Sequence, residues 1–211
     1  MNYHTPQEKW WATIGGEGYG GGRPRSPGEI DEIYMNLCGV RPSLALPALI
    51  GPVGGNILEV GCNRGDQMNA LREAGHENLW GIDIASEAIL DAHRHRPRLR
   101  IQWGSAYDIP DFGVRFDVVY TFGLLIHQPP DRVEEVMLEI VRVAKPGGSV
   151  CGVEYWSKEF VERTPARTWS GPFAEMYERM GLKLQSHKVY PMPSHLDGAV
   201  SFFCMSVGDG A

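Results

Sequence analysis

The sequence has few cysteines for its length, which argues against two kinds of small scaffold. Its 211 residues include four cysteines. They lie far apart, without the paired spacing of zinc ligands or of a disulfide framework, at Cys38, Cys62, Cys151 and Cys204. We therefore expect neither a metal site nor structural disulfides.

Basic residues are also scarce relative to acidic ones. Lys and Arg number 20 against 26 Asp and Glu, and the formal net charge is -6. The molecule as a whole therefore has no broad attraction to a phosphate backbone. This balance favours a small-molecule partner over a nucleic acid.

A long apolar run is the third absence. No stretch approaches the roughly 20 apolar residues that span a bilayer, and no charged-then-apolar leader opens the chain. We expect a soluble, cytoplasmic protein with no membrane partner, as a monomer or a homodimer.

Residues 1–52 differ in composition from the rest of the chain. Trp10, Trp11 and Tyr19 stand beside a cluster of glycines, which predicts a mobile, aromatic-bearing N-terminal lid. Apolar spacing predicts a helix over 29–38 within it. Three prolines then interrupt the segment that precedes the core, at Pro42, Pro47 and Pro52.

Residues 53–211 alternate apolar runs with amphipathic stretches, which is typical of a single domain with a sheet and helical crossovers. The predicted strands lie near 56–60, 79–83, 99–104, 116–121 and 148–154. The predicted helices lie at 65–75, 86–95, 131–144 and 171–181. Two further strands, 182–189 and 199–207, are expected to pair at one edge of the sheet.

The run from Ile57 to Gly65 predicts a ligand-binding turn. A buried strand turns through Gly61 to Gly65 into a helix, whose free amides and dipole suit a carboxylate-bearing ligand. The alternative is a tight strand-to-helix turn without a ligand.

Asp83 ends the next predicted strand, where a carboxylate can accept both hydroxyls of a ribose. The alternative is an aspartate that caps a helix. Together with the turn, Asp83 indicates a nucleoside ligand at the carboxyl ends of parallel strands. Glu59 and Asn63 disfavour a nicotinamide dinucleotide, because a charge and a side chain stand where the pyrophosphate needs bare backbone.

These motifs, followed in order by three further segments, resemble the class I S-adenosylmethionine-dependent methyltransferases over roughly residues 54–156. The further segments are Gly104–Pro110, Phe116–Gly123 and Val143–Gly148. The resemblance implies a doubly wound, Rossmann-like α/β fold. Its sheet would be seven-stranded and mostly parallel, with an antiparallel last strand and helices on both faces.

The resemblance also implies S-adenosyl-L-methionine as cofactor and a set of contacts to it. The turn would lie under the methionine moiety, with Glu59 near its ammonium and Asp83 on the ribose hydroxyls. The remaining implied cofactor residues are Tyr19, Gly61, Cys62, Asn63, Gly65, Ile84, Ser105, Ala106, Thr121 and Phe122. Ile84, Ser105 and Ala106 would border the adenine, and the family often has an aspartate where this chain has Ser105. Thr121 and Phe122 would lie beside the sulfonium.

A narrower resemblance points to an acceptor. The segments Thr5–Trp11, Tyr120–His127 and Val153–Trp156 are similar to the small methylases associated with pseudaminic acid biosynthesis. That similarity implies an amino sugar or a sugar nucleotide as methyl acceptor.

Three residues are candidate catalytic groups. His127 is the first candidate for a general base, since an unperturbed histidine has a pKa of about 6.5; Glu154 and Tyr155 follow at the end of the fifth strand. The alternatives are an orienting histidine and a hydrogen-bonded buried carboxylate. We expect a methyltransferase acting on an oxygen or nitrogen of a small polar metabolite. The alternatives are a cofactor-binding regulatory or scaffolding protein and, less favoured, a nucleic-acid methyltransferase.

Overall fold

A seven-stranded sheet organises the chain in this computed structural model, which describes residues 3–15, 23–164, 167–194, 196 and 198–208. The strand order is β3-β2-β1-β4-β5-β9-β8. Its strands are β1 Ile57–Val60, β2 Leu79–Asp83, β3 Arg100–Trp103, β4 Phe116–Phe122, β5 Ala144–Trp156, β8 Lys183–Pro191 and β9 Ala199–Ser206. A separate two-stranded hairpin is formed by β6 Val161–Thr164 and β7 Thr168–Ser170.

Helices connect and cover these strands. The α-helices are α1 Pro6–Trp10, α2 Pro27–Cys38, α3 Pro42–Ile50, α4 Asp66–Glu73, α5 Ser86–His95, α6 Val133–Val143 and α7 Phe173–Arg179. A π-helix, Trp11–Gly15, continues from α1, and a 3-10 turn spans Leu125–His127.

The sheet is parallel from β3 to β5, and β9 runs antiparallel between β5 and β8. This topology confirms the predicted doubly wound fold with its antiparallel last strand. The predicted pair of closing strands is likewise present at one edge of the sheet.

The core lies in two layers, one on each face of the sheet. Successive strand residues point to opposite faces, so Leu58 and Val60 pack with the buried residues of α6 and α7. Ile57 packs on the other face with those of α3, α4 and α5. β1 is buried along its whole length because both faces are covered.

Helix α3 is a difference from the sequence expectation, which treated this stretch as interrupted by prolines. Pro42 occupies the first turn, where an N–H has no intrahelical partner. Pro47 stands inside the helix and removes one hydrogen bond. Leu46 and Ile50 are buried in the core, and their burial offsets that loss.

Within the described ranges, no single helix is long and apolar enough to cross a membrane. Among the helices of the described residues, α2 and α3 are long and apolar enough for a span only when taken together, and they meet at an angle of 92°.

Packing at Gly152 gives a prediction about stability. An added Cβ at this position would lie 2.2 Å from Cζ of Phe203, which pairs with Gly152 across β5 and β9. Overpacking of this kind costs about 1–3 kcal/mol, so Gly152→Ala should lower the urea midpoint of unfolding.

The matched control is Gly28→Ala in α2, where an added Cβ has no heavy atom within 4 Å. It should leave stability unchanged or slightly raised, because alanine favours helix. Equal midpoints for the two variants would contradict the packing at Gly152.

Candidate active site

A pocket opens where the parallel strands β1, β2 and β4 end, and residues from the N-terminal 52 form its opposite wall. Most of the predicted site residues line it, namely Glu59, Gly61, Cys62, Asn63, Asp83, Ile84, Ala106, Phe122, His127 and Tyr155. Four predicted residues are not part of the lining, namely Gly65, Ser105, Thr121 and Glu154. Tyr19 lies outside the described residues.

The turn after β1 contains two residues in the left-handed backbone conformation. Gly61 has a φ of 78° and Asn63 one of 47°, both in the left-handed region. The N–H groups of Gly61 and Cys62 both donate to the carbonyl of Ile82, each at 2.9 Å. The turn is thereby fixed to the end of β2.

Gly65 has a packing role at the start of α4. Its φ is 73°, and an added Cβ would lie 2.7 Å from Cδ1 of Ile101. A glycine here lets the helix N-terminus approach β3 closely.

Asp83 ties the ends of β1 and β2 together. Its Oδ2 accepts from the Asn63 N–H at 2.7 Å, and its Oδ1 accepts from the Ala85 N–H at 2.8 Å. Burial raises the pKa of Asp83, and these two hydrogen bonds act in the opposite direction. Each carboxylate oxygen can accept a second hydrogen bond, and the side chain lines the pocket. Asp83 can thus hold the turns and bind hydroxyls at the same time.

Glu59 is a second buried acid at the floor of the pocket. The Tyr120 hydroxyl donates to its Oε2 at 2.8 Å. Burial raises the pKa of Glu59 well above its ordinary value, and the nearby Asp66 and Asp83 add to the rise. A ligand cation placed here would offset the cost of burying the charged form.

Ser105 is not part of the pocket lining, and its side chain contacts the N-terminal segment. Its hydroxyl donates to the Glu8 carboxylate and accepts from the Tyr107 N–H at 3.0 Å. Glu8 itself lines the pocket, and the sequence analysis did not select it. The pattern Thr5-x-x-Glu8 was the available signal, because it is typical of a helix N-terminus; Thr5 Oγ1 does accept from the Glu8 N–H at 3.0 Å.

Aromatic and aliphatic side chains form the wall opposite the sheet. Tyr34 of α2 packs edge-on against Phe122 with ring centroids 5.0 Å apart. Ile30, Ile33 and Leu37 of the same helix also line the pocket. This half of the pocket is therefore largely apolar.

His127 lies at the edge of the pocket, and one of its ring nitrogens is hydrogen-bonded to the backbone. Its Nδ1 is 3.0 Å from the carbonyl oxygen of Arg167, so Nδ1 carries the proton and Nε2 is the basic nitrogen. The ring packs against Trp11 with centroids 4.4 Å apart. Burial lowers the pKa of His127 to about 4, although the bond to Arg167 acts to raise it. The imidazole is consequently neutral at pH 7.

Glu154 lies behind the pocket wall, where it holds the loop after β4. Its carboxylate accepts from the Thr121 hydroxyl at 2.7 Å and from the N–H groups of Leu124 at 3.2 Å and Ile126 at 3.3 Å. Burial raises the pKa of Glu154 to about 7, against these hydrogen bonds. Thr121 is 1% exposed, so its hydroxyl is used in this contact.

Tyr155 is the third predicted catalytic residue. It is half-buried and lines the pocket, and burial raises the pKa of its hydroxyl.

Among the described residues, no group of three or more His, Cys, Asp or Glu side chains is arranged to hold a metal ion.

A known family model matches part of the chain. Residues 57–148 match the family model described as a methyltransferase domain. This segment contains β1 to β4, the turn after β1 and Asp83. The matched segment, which is less than half of the chain, is therefore similar to a methyltransferase domain.

Individual relatives are more distant. The chain is 28% identical to 24-methylenesterol C-methyltransferase 2 of Arabidopsis thaliana over 61% of its own length and 34% of that protein. It is 32% identical to demethylmenaquinone methyltransferase of Bacillus licheniformis over 49% of its length and 46% of that protein. The chain thus covers less than half of these curated relatives.

A solved structure shares the fold over nearly the whole chain. The 1,6-didemethyltoxoflavin-N1-methyltransferase of Burkholderia thailandensis, with bound 1,6-didemethyltoxoflavin and S-adenosylhomocysteine, has a TM-score of 0.68 at 17% identity. The match covers 99% of this chain and 94% of that one. The comparisons do not confirm the narrower resemblance to methylases of pseudaminic acid biosynthesis.

The environment of Glu154 predicts a pH dependence of stability. Its pKa is about 7 in the folded protein against an ordinary 4.5, so the folded state binds more protons between these values. The free energy of unfolding should therefore fall as pH rises from about 4.5 to about 7, by up to about 1.4 kcal/mol per pH unit from this group. Chemical denaturation at several pH values should show a flatter dependence for Glu154→Gln.

Glu134→Gln, on an exposed position of α6, is the matched control and should keep the wild-type slope. A Glu154→Gln variant with the same slope as both other proteins would show that Glu154 does not titrate in this range.

Proposed function

We propose that this chain transfers a methyl group from S-adenosylmethionine to an oxygen or nitrogen of a small molecule. The observation that carries the proposal is the position of His127. It is a neutral imidazole whose Nδ1 bonds to the Arg167 carbonyl, at the edge of a pocket that also contains Asp83 and the Gly61 turn.

The residues present fit this cofactor. The left-handed Gly61 lets backbone approach a ligand closely, and an added Cβ there would lie 2.8 Å from Cδ1 of Leu124. Asp83 offers hydroxyl acceptors on the same pocket, and Glu59 offers an acid near the floor. The turn would hold the methionine moiety, Asp83 the ribose, and Ile84 with Ala106 the adenine.

S-adenosylmethionine, when bound, supplies an electrophilic methyl group. The protein has to align the acceptor, exclude water and receive a proton. His127 Nε2 would take the acceptor's proton, because the imidazole is neutral at pH 7 and Nδ1 is already a donor. Glu154 acts as a positioning residue, since it holds the backbone of Leu124 and Ile126 next to His127.

The walls of the pocket suggest the acceptor's chemistry. Ile33, Tyr34, Leu37 and Phe122 present apolar surface, which favours an acceptor with a flat or apolar body bearing a hydroxyl or a ring N–H. The sterol in the name of the first relative above agrees with the apolar body, and that relative is named as a C-methyltransferase. A polar acceptor, an amino sugar or sugar nucleotide, is the second candidate, and Arg25 on the pocket wall supports it.

The first prediction for this function concerns cofactor binding. Asp83→Ala removes the acceptor for ribose hydroxyls and frees the Asn63 N–H, so S-adenosylhomocysteine should bind at least about tenfold more weakly by isothermal titration calorimetry. Asp108→Asn, exposed on the nearby loop, should bind like wild type. Failure of the wild-type protein to bind this nucleoside would overturn the proposed function.

The second prediction concerns the base. With an acceptor found by screening phenols, quinols, amino sugars and sugar nucleotides, His127→Ala should lower kcat by about 100-fold to 10,000-fold. Affinity for S-adenosylhomocysteine should remain near the wild-type value. The wild-type kcat should fall only as pH drops toward about 4, where His127 becomes protonated.

His95→Ala, at an exposed position of α5 outside this pocket, is the control and should keep full activity. An unchanged kcat in His127→Ala would remove His127 from the reaction. Binding without methyl transfer to any acceptor tested would instead favour a regulatory or scaffolding role.

A further inference from the structure

A carboxylate from the N-terminal segment is buried in the wall of the pocket. Glu8 of α1 is 7% exposed and lines the pocket, although it lies 97 residues from its main side-chain partner, Ser105. Its Oε1 accepts from the Ser105 hydroxyl, and its Oε2 accepts from the His4 N–H at 2.5 Å. Both carboxylate oxygens are therefore held in fixed positions.

Glu8 lies at the end of the pocket that a nucleobase would occupy. The strands β2 and β3 are adjacent, with Asp83 paired to Trp103, and they end at the same edge of the sheet. Gly104 and Ala106 follow β3 and line the pocket together with Asp83 and Glu8. A nucleoside with its ribose at Asp83 and its base directed past Ile84 would bring that base to the Gly104–Ala106 turn.

We propose that Glu8 accepts a hydrogen bond from the exocyclic amino group of adenine, so that α1 completes the cofactor site and selects adenine over hypoxanthine. The inference rests on the proposed function, because it assumes an adenosine-containing cofactor in this pocket.

The donor and acceptor chemistry supports this assignment. An ionised carboxylate only accepts hydrogen bonds, so it pairs with the amino group of adenine and is opposed by the carbonyl oxygen of hypoxanthine. Ser105 does not line the pocket, and its hydroxyl already donates to Glu8 and accepts from the Tyr107 N–H. Ser105 is then a positioning residue that orients the Glu8 carboxylate.

Glu8 also has a structural role that must be separated from recognition. Its N–H bonds to Thr5 Oγ1, and its carboxylate bonds to the His4 N–H, as at a capped helix N-terminus. A purely structural contribution would weaken the binding of every nucleoside by the same factor. Recognition of the amino group would change the ratio of affinities between two bases.

The experiment compares the dissociation constants of S-adenosylhomocysteine and S-inosylhomocysteine by isothermal titration calorimetry. The two ligands differ at one edge of the purine: adenine has an amino group at position 6 and an unprotonated N1, whereas hypoxanthine has a carbonyl oxygen at position 6 and an N1–H. The wild-type protein should prefer the adenine ligand by about 10- to 100-fold, the range expected for a hydrogen bond to a charged group. In Glu8→Gln the preference should fall to a few-fold or reverse, because an amide N–H can donate to the hypoxanthine oxygen.

A double variant tests whether a carboxylate at position 105 can replace that of Glu8. Glu8→Ala should lose the preference, and Glu8→Ala combined with Ser105→Asp should regain at least part of it. Glu135→Gln is the control, since this exposed carboxylate pairs with Arg132, which also contacts the His4 carbonyl. It should keep the wild-type ratio, and circular dichroism melts should verify that each variant is folded.

The outcomes separate this inference from the proposed function. A wild-type protein that binds neither ligand would overturn both. Binding of S-adenosylhomocysteine with an adenine preference that survives in Glu8→Gln and in Glu8→Ala would overturn only the role of Glu8. An equal loss of affinity for both ligands would assign Glu8 to helix capping alone.

Discussion

The Asp83 carboxylate makes the contact on which the rest of the site depends. By accepting from Asn63 and Ala85, it joins the turn after β1 to the turn after β2. The Ile82 carbonyl reinforces this junction by accepting from Gly61 and Cys62. Helix α4 begins directly after the turn that follows β1. One acidic side chain thus sets the shape of the pocket floor, and its burial makes that arrangement costly to disturb.

Local sequence patterns were sufficient for most of the sheet. The alternation of buried strands with amphipathic stretches predicted β1 to β5 and the closing pair β8 and β9. Both the strand period and the helix period can be recognised from the spacing of apolar residues within a short segment. Helix α3 was not predicted, since Pro47 is an unfavourable residue inside a helix and only burial against the core offsets it. The hairpin of β6 and β7 was also missed, as its short strands carry little apolar alternation.

The site was predictable where its residues follow strands, and not where distant segments meet. Gly61 and Asp83 were selected because they lie at the ends of predicted strands, and Phe122 was implied by the family resemblance; all three line one pocket. Glu8 could not be placed from the sequence, because its contact with Ser105 joins residues 97 positions apart. The hydrogen-bond partners of Glu154 could not be predicted either, since they come from the end of β4 and the loop after it. Side-chain partners of this kind depend on the assembled fold.

The position of β9 has a consequence for synthesis on the ribosome. β9 follows β8 along the chain, yet it pairs with β5 on one side and β8 on the other. Until it has been translated, β5 presents an edge of unpaired backbone groups that includes the buried residues Val150 and Val153. Such an edge can pair with a strand of another nascent chain. Slow translation before residue 199 would therefore lengthen the period in which this protein is open to aggregation.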